Sequence, residues 1–253
     1  INRLSLGVQS FRPTQLSALG RIHTGNEAVT AIGEARAAGF DNLNIDLMHG
    51  LPQQTPEQAM EDIDQALALD PEHLSWYQLT LEPNTAFFSH PPPLPEEEAL
   101  WDIQEAGHQR LEQAGLKRYE ISAYARPGLQ SHHNLNYWRF GDYLGIGAGA
   151  HGKLTQIDSQ GAWQIERRWK TRQPDAYLRR ANDPRGFVAG QQLIEPLELP
   201  LEFAMNALRL TEGVPLADWA AHTGQPEALL LARLHSAQEK GLLMEMPEKL
   251  RAS

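Results

Sequence analysis

Three polar side chains, Gln9, Arg21 and Asp46, form the first group in the sequence with the chemistry of a binding site. Gln9 and Asp46 lie toward the carboxyl ends of two segments with the pattern of β-strands, and Arg21 follows the first segment in a loop. Asp46 has apolar neighbours on both sides, and a carboxylate buried there is costly without a partner or a ligand. Two interpretations remain open at this point. Either Asp46 caps the following loop or pairs with Arg21, or the three side chains hold a bound ligand.

A second group lies in the stretch from His132 to Trp138, which reads HHNLNYW. On a strand, the adjacent histidines would point to opposite faces, so they would make a poor two-ligand metal site. A single histidine can still be the axial ligand of a haem iron, and Tyr137 and Trp138 offer a flat apolar wall for a macrocycle. The alternative is an ordinary aromatic cluster that contains a hydrogen-bonded histidine.

Residues 147–152 (GAGAHG) match the G-x-G-x-x-G pattern of dinucleotide-binding loops. That interpretation needs a preceding strand and a helix that opens at the last glycine. Here a turn signal at residues 158–161 follows instead, so we reject a dinucleotide site. We expect these glycines to let the backbone approach a ligand or another strand closely. No nucleophile elbow, phosphate-binding loop or paired carboxylates support a hydrolase or a kinase.

The elements that would position these side chains alternate between strand and helix over residues 1–125. The pattern predicts strands at 3–8, 42–48, 73–81 and 117–123, and helices at 26–38, from Thr55-Pro56 and from Pro95. The spacing of the first three strands is that of βα units, which predicts a parallel α/β sheet in a barrel or an open sheet. Ligands bind at the carboxyl edge of such sheets, where Gln9 and Asp46 are expected.

The rest of the chain has a different pattern. We predict a β-rich extension at 126–183, a linker at 184–200 that is rich in proline and glycine, and a small helical domain at 201–253 of winged-helix type. The predicted elements of that domain are helices at Glu202–Thr211, Leu216–His222 and Glu227–Lys240, and the first strand of a wing at Gly241–Met244.

Composition excludes several classes of function. The net charge of −10, from 22 basic and 32 acidic residues, argues against a nucleic-acid partner. Without cysteines, these residues cannot form disulfides or hold zinc or an iron–sulfur cluster through thiolates. No apolar run suggests a membrane span or a signal peptide, so a cytoplasmic protein is expected. Because the chain begins on a strand without an initiator methionine, we expect a fragment that lacks upstream strands, with a truncated carboxyl-terminal domain.

Several long stretches, taken in order, resemble the oxygen-independent coproporphyrinogen III oxidase-like family of radical S-adenosylmethionine (SAM) proteins, and most of all its haem-chaperone branch. They span from residue 1 to about residue 153, and the helical tail is similar to the carboxyl-terminal domain of the family. The stretches are Asn2–Phe11 (NRLSLGVQSF), Gly20–His23 (GRIH), Asn44–Pro52 (NIDLMHGLP), His73–Thr85 (HLSWYQLTLEPNT) and His133–Gly152 (HNLNYWRFGDYLGIGAGAHG).

The resemblance implies a partial TIM-type barrel of six βα units, of which this chain holds the later units from the fourth strand onward. In the family, a C-x-x-x-C-x-x-C motif for a 4Fe–4S cluster follows the first strand, and a glycine-rich cofactor motif follows the second. Neither motif is present here. We therefore expect the cluster ligands in a missing amino-terminal part, and we expect this fragment alone to be inactive in radical chemistry.

The resemblance also assigns roles to the two groups of side chains. By position, Gln9, Arg21 and Asp46 match family residues that contact S-adenosylmethionine. A carboxylate and an amide suit hydroxyl and amino groups, and Arg21 suits a carboxylate. His133 opens an H-N-x-x-Y-W pattern linked with haem binding in the chaperone branch. It is the candidate haem-iron ligand, with Tyr137 and Trp138 beside it.

The function implied by the resemblance is that of a haem chaperone, which binds S-adenosylmethionine and haem and transfers haem to acceptor proteins. Its expected partners are haem and haem-acceptor proteins, with no nucleic acid and no membrane segment, and a homodimer is allowed. The alternative is a coproporphyrinogen III oxidase, which decarboxylates its substrate oxidatively to protoporphyrinogen IX in porphyrin biosynthesis. A third hypothesis is a non-catalytic interaction module built on the same barrel.

Overall fold

A computed structural model describes residues 2–184, 186–244 and 248–253. The chain divides into two compact units, Ile1–Ser131 and His132–Ser253. Residue 185 of the predicted linker and residues 245–247 of the predicted helical domain lie outside the described residues. Across the described ranges, no helix is both long enough and apolar enough to cross a membrane.

The first unit alternates strands and helices, as predicted. Its helices begin where the sequence signals them: Thr24 and Thr55 each form a capping box, with Glu27 and Gln58 respectively, and Pro56 occupies the first turn of its helix. The elements in chain order are β1 (Leu4–Gln9), α1 (Pro13–Ala18), α2 (Gly25–Ala37), β2 (Leu43–His49), α3 (Pro56–Leu67), β3 (His73–Gln78), α4 (Ala86–Ser89), α5 (Glu97–Gln113), β4 (Lys117–Glu120) and β5 (Ala123–Ala125).

The sheet of the first unit has the strand order β1-β2-β3-β5-β4. Strands β1, β2 and β3 are parallel, which confirms the βα prediction. The prediction of a single fourth strand at 117–123 is wrong, because the segment turns at Ile121-Ser122 into an antiparallel hairpin. The buried, uncharged β5 pairs with β3, and β4 takes the edge, where the exposed Lys117 and Arg118 stay solvated.

The core of this unit lies between the sheet and its helices. Leu43, Ile45 and Leu47 of β2 are fully buried, and Trp76 of β3 is almost fully buried. Helix α5 comes close to the Trp76 ring because Gly107 has no side chain: a Cβ added there would lie 1.9 Å from the ring. This close approach holds α5 against the sheet.

We expect Gly107→Ala to lower the free energy of unfolding by about 1–3 kcal/mol, because the methyl group displaces the Trp76 ring from a packed core. The matched control is Gly33→Ala on α2, where no atom lies within 4 Å of an added Cβ. That change should be neutral or stabilise by roughly 0.5–1 kcal/mol, the usual gain of alanine over glycine in a helix. Urea unfolding checks both variants, and equal effects would contradict the packing explanation.

The second unit contains a three-stranded antiparallel sheet in the order β6-β7-β8, a two-stranded pair of β9 and β10, and helices. Its elements in chain order are α6 (His132–Trp138), β6 (His151–Ile157), β7 (Trp163–Lys170), α7 (Pro174–Arg179) with a 3-10 turn (Arg180–Asn182), β8 (Val188–Leu193), α8 (Leu199–Ala207), β9 (Val214–Pro215), α9 (Leu216–Thr223), α10 (Glu227–Glu239) and β10 (Lys249–Leu250).

Three sequence expectations for this unit need correction. HNLNYW lies on helix α6 rather than on a strand. Residues 184–200 include β8 and the start of α8, because the residues from Val188 pair with β7 through backbone hydrogen bonds despite the loop-like composition. The predicted strand at Gly241–Met244 forms only an isolated bridge, between Leu243 and Ala252. The finer division of this unit into domains stays a prediction.

Candidate functional site

One face of the parallel sheet carries polar side chains, while the other face packs into the core. On β2, Leu43, Ile45 and Leu47 are fully buried, and the intervening Asn44 and Asp46 lie on the opposite face. The register places Asp46 beside Gly7 of β1 and Ser75 of β3. Residues from three strands therefore meet on one surface, which we call the polar sheet face: Ser5, Gly7, Asn44, Asp46, His73, Ser75 and Tyr77.

Gln9 ends β1 in an unusual conformation. Its φ is 69°, in the left-handed region that residues other than glycine rarely adopt. The following turn is held by Asp62 of α3, whose carboxylate accepts hydrogen bonds from Ser10 Oγ (2.7 Å) and the Phe11 amide (2.8 Å). Gln9 itself is buried, and its Oε1 accepts a hydrogen bond from the Tyr77 hydroxyl (2.9 Å). The Gln9 amide thus reaches the polar sheet face in a fixed position.

Asp46 is half-buried and is held by two donors. Its Oδ1 accepts a hydrogen bond from Asn44 Nδ2 (2.8 Å), and its Oδ2 accepts one from Ser5 Oγ (3.2 Å). Within the described residues, no ion pair joins Asp46 to Arg21. A carboxylate has about four acceptor positions, and these two bonds leave room for a ligand's hydroxyl or amino groups.

Arg21 is exposed in the loop after α1, and its charge still acts on the polar sheet face. The pKa of the Tyr77 hydroxyl is raised by burial and by the charge of Asp46, while the hydrogen bond with Gln9 and the charge of Arg21 work in the opposite direction. All three predicted side chains therefore influence one hydroxyl. The structure brings Gln9 and Asp46 to one surface, while Arg21 is exposed in the loop after α1.

The sequence analysis missed several residues of this surface, most clearly Tyr77, Asn44 and His73. The signal was present in the segment NLNIDLM, where polar and apolar residues alternate as they do on a strand with one buried face. Tyr77 carries no such signal, because its link with Gln9 joins positions 68 residues apart and depends on strand register.

In the second unit, helix α6 places His133 and Tyr137 on one face, since residues four apart lie above one another on a helix. Their rings meet edge to face, with centroids 4.8 Å apart, and Tyr143 packs on Tyr137 with centroids 4.4 Å apart. His133 is exposed, and its ring has no hydrogen-bond partner among the residues that the structure describes. The hydrogen-bonded histidine of the alternative interpretation is therefore not found there.

Trp138 lies elsewhere on the helix and does not join this group. It is five positions after His133, about 140° further round the helix axis. Its ring lies under the Arg209 guanidinium, 4.2 Å from ring centroid to Cζ. The structure thus brings His133 and Tyr137 together with Tyr143, which the sequence analysis did not identify, and it separates Trp138 from them.

The turn after α6 fixes this arrangement. Phe140 is buried in the left-handed region (φ 62°), and a Cβ at Gly141 would lie 2.2 Å from Asn136 Oδ1. Asp142 then accepts hydrogen bonds from the buried Lys153 Nζ (2.9 Å) and from the backbone and side chain of Thr155. These contacts tie the end of α6 to strand β6, so the aromatic face of α6 has a rigid support.

The glycine run after this turn serves close backbone packing. A Cβ at Gly145 would lie 2.3 Å from the His151 carbonyl oxygen, and one at Gly152 would lie 3.1 Å from the Gly145 amide nitrogen. Within residues 147–152, the expected close backbone approach is therefore confirmed at Gly152 alone, because Gly147 has no atom within 4 Å of an added Cβ and Gly149 has only ordinary contacts. Gly152 lies in strand β6 rather than at the start of a helix, which agrees with the rejection of a dinucleotide site.

Among the described residues, no group of three or more histidine, cysteine, aspartate or glutamate side chains is arranged to hold a metal ion. The sequence contains no cysteine. The residues present here therefore do not fit a 4Fe–4S cluster, whereas the polar sheet face offers a carboxylate, an amide and a cation for a small polar ligand.

Two comparisons address the fold and the carboxyl-terminal unit. The family profile described as the HemN C-terminal domain matches residues 194–253. This chain superposes with a TM-score of 0.74 on the solved structure of coproporphyrinogen III oxidase (HemN) from Escherichia coli, which is titled a radical SAM enzyme. The two are 19% identical, and the superposition covers 100% of this chain and 61% of the HemN chain. At this identity the match shows a shared fold.

Curated relatives match nearly the whole chain. The heme chaperone HemW of Escherichia coli (strain K12) is 50% identical over 250 residues, and that of Haemophilus influenzae is 46% identical over 245 residues. Each match covers 97% of this chain and 62% of the relative. A mitochondrial radical S-adenosyl methionine domain-containing protein 1 of Mus musculus is 35% identical over 87% of this chain and 50% of its own length.

The chain is similar to radical SAM proteins of the HemN/HemW-like class. Within that class it is similar to the heme chaperones called HemW, over the 62% of their length that it spans.

Proposed function

We propose that this protein is a haem chaperone that binds S-adenosylmethionine and haem and transfers haem to acceptor proteins. The observation that carries the proposal is the similarity to heme chaperones named HemW along 97% of the chain. The face that His133 and Tyr137 share supports it, since an exposed imidazole without a hydrogen-bond partner among the described residues and a neighbouring aromatic ring suit the iron and the flat ring of haem.

The S-adenosylmethionine site in this proposal is the polar sheet face. Asp46 would accept hydrogen bonds from the ligand's hydroxyl and amino groups, the side-chain NH₂ of Gln9 would donate to a ligand oxygen, and Arg21 would bind the ligand's carboxylate. The bound cofactor supplies radical chemistry only with an electron from a 4Fe–4S cluster, for which the ligands are expected outside this chain. The residues described here bind and orient, and no proton or electron transfer is assigned to them.

The haem site in this proposal is the face of α6 that His133 and Tyr137 share. His133 would ligate the iron through its ring, and Tyr137, supported by Tyr143, would contact the edge of the macrocycle. Trp138 acts there through the packing of α6 against Arg209 rather than as a wall for the ligand. The acceptor protein, the homodimer and the cytoplasmic location stay predictions.

The full-length protein, reconstituted anaerobically with iron and sulfide, tests this function. We expect it to retain haem through gel filtration and to deliver the haem to an apo-cytochrome, as followed by the absorbance of the acceptor. Coproporphyrinogen III incubated with the same preparation should keep its propionates. Propionate loss, measured by mass spectrometry, would favour the decarboxylase instead, and failure of both assays would favour a non-catalytic interaction module.

A further inference from the structure

We propose that buried His73 positions Asp46 for the ligand by orienting the side-chain amide of Asn44 between them. The inference rests on the proposed S-adenosylmethionine site and adds to it a residue that does not touch the ligand. His73 begins β3, and Asn44 and Asp46 lie on the neighbouring β2. The three side chains share the polar sheet face.

The carboxylate sets the direction of the hydrogen bonds. An ionised carboxylate only accepts, so the Asn44 group that faces Asp46 must be its NH₂, which donates to Asp46 Oδ1 (2.8 Å) and to Ser5 Oγ (2.7 Å). The Asn44 carbonyl oxygen therefore faces His73, and it accepts from His73 Nδ1 (2.6 Å) and Ser75 Oγ (3.2 Å). His73 must carry a proton on Nδ1.

The hydrogen bond at Nε2 of His73 is consistent with the same tautomer, in which Nδ1 carries the proton. Burial, with a smaller effect from Arg3, lowers the pKa of His73 to about 3, so the ring is neutral at neutral pH. With its proton on Nδ1, the ring accepts at Nε2 from the hydroxyl of the buried Tyr119, 2.8 Å away. The Tyr119 oxygen accepts in turn from the Ser131 amide (3.4 Å).

The side chains become less buried from His73 through Asn44 to Asp46, which would contact the ligand. His73 and Asn44 are 2% and 5% exposed, while Asp46 is half-buried and Ser5 is exposed. A network that only satisfied buried groups would have no need to extend to the half-buried carboxylate of Asp46. Here both oxygens of Asp46 receive a donor, one directly from Asn44 and one from Ser5, which Asn44 also holds. A carboxylate held at both oxygens binds a ligand without first losing rotational freedom.

Two substitutions of one residue separate positioning from packing, in the full-length protein. In His73→Asn, the amide nitrogen can take the place of Nδ1 and still donate to Asn44. In His73→Gln, the amide reaches the place of Nε2 instead and leaves Asn44 without its donor. We expect S-adenosylmethionine affinity, measured by calorimetric titration, to stay within about twofold of wild type for His73→Asn and to fall about tenfold for His73→Gln.

Combining His73→Gln with Asp46→Asn shows whether the loss of affinity caused by His73→Gln depends on Asp46. We expect Asp46→Asn alone to weaken binding and His73→Gln to cause no further loss in that background. Equal losses from both His73 variants, or a His73→Gln effect that adds fully to that of Asp46→Asn, would overturn the positioning role. If Asp46→Asn leaves affinity unchanged, the proposed S-adenosylmethionine site itself is wrong, and the positioning role is wrong with it.

A spectroscopic measurement needs neither ligand nor activity. The ¹⁵N resonances of the histidine rings, with His73 assigned by its absence from His73→Asn, should show the Nδ1-protonated neutral tautomer. This result tests the direction of the hydrogen bonds on which the positioning role depends, even if His73→Gln fails to fold. A ring protonated on Nε2 would leave Asn44 without the donor that orients it, and it would overturn the proposal.

Discussion

Replacing His133 by alanine should weaken haem binding at least tenfold, which is about 1.4 kcal/mol or more, because the iron loses an axial nitrogen. His133 is exposed, and the one side-chain interaction that it makes with the described residues is the ring contact with Tyr137, so the substitution should leave the free energy of unfolding nearly unchanged. A haem titration of the full-length protein, followed by the Soret band, measures the affinity. The band should also shift, because the coordination of the iron changes.

The neighbouring histidine is a matched control for this experiment. His132 is also exposed on α6, but it lies about 100° from His133 around the helix axis. His132→Ala should therefore keep both the affinity and the position of the band. If His133→Ala bound haem as tightly as wild type, with the same spectrum, the assignment of His133 as the axial ligand would be wrong.

Acidification from pH 7.5 to pH 5 should destabilise the first unit by several kcal/mol. Burial lowers the pKa of His49 to about 4 and that of His73 to about 3, with further lowering by the charges of His108 and Arg3 respectively. Burial and Arg118 also lower the pKa of His108 to about 4. Below pH 6.5, the ordinary pKa of histidine, these three rings become protonated in the unfolded chain while they stay neutral in the folded chain.

The sign and size follow from this difference. Because the unfolded state binds more protons between pH 6.5 and about 4, stability falls as the pH falls through that window. At pH 5, His49 and His73 should each cost about 2 kcal/mol. The half-exposed His108 should cost less, because solvent screens it.

Urea unfolding at the two pH values measures the loss. His73→Asn removes one of the titrating groups, so this variant should lose about 2 kcal/mol less than wild type on acidification. The control replaces the exposed His90 of the first unit by alanine, and this variant should lose as much stability on acidification as wild type. A stability that stayed constant from pH 7.5 to pH 5 would contradict the neutral, buried state of these rings.

Much of the first unit follows from local sequence. Thr24 and Thr55, each three residues before a glutamate or glutamine, form the capping boxes that begin two helices. The alternation in NLNIDLM separates a core face from a polar face, and parallel strands bring Gln9 and Asp46 to one surface. These features depend on residues a few positions apart, for which propensity and periodicity carry the information.

The failures of sequence reasoning have a common cause. HNLNYW contains residues that suit a strand as well as a helix, and the contacts of Phe140, Asp142 and Lys153 beyond it support the helix that the structure shows. The hairpin at Ile121-Ser122 forms because β5 pairs with β3, a contact between segments almost fifty residues apart. Local pattern carries no information about such distant partners.

The sequence by itself determined the α/β class, the capping boxes that begin two helices, the polar surface with Gln9 and Asp46, and the resemblance that indicated the class of protein. Only the tertiary structure decided which side chains act together: Tyr77 with Gln9, His73 with Asn44 and Asp46, and His133 with Tyr137 but not with Trp138. The physical reason is that hydrogen bonds and ring contacts need atoms within a few ångströms, and strand register and helix rotation set those distances.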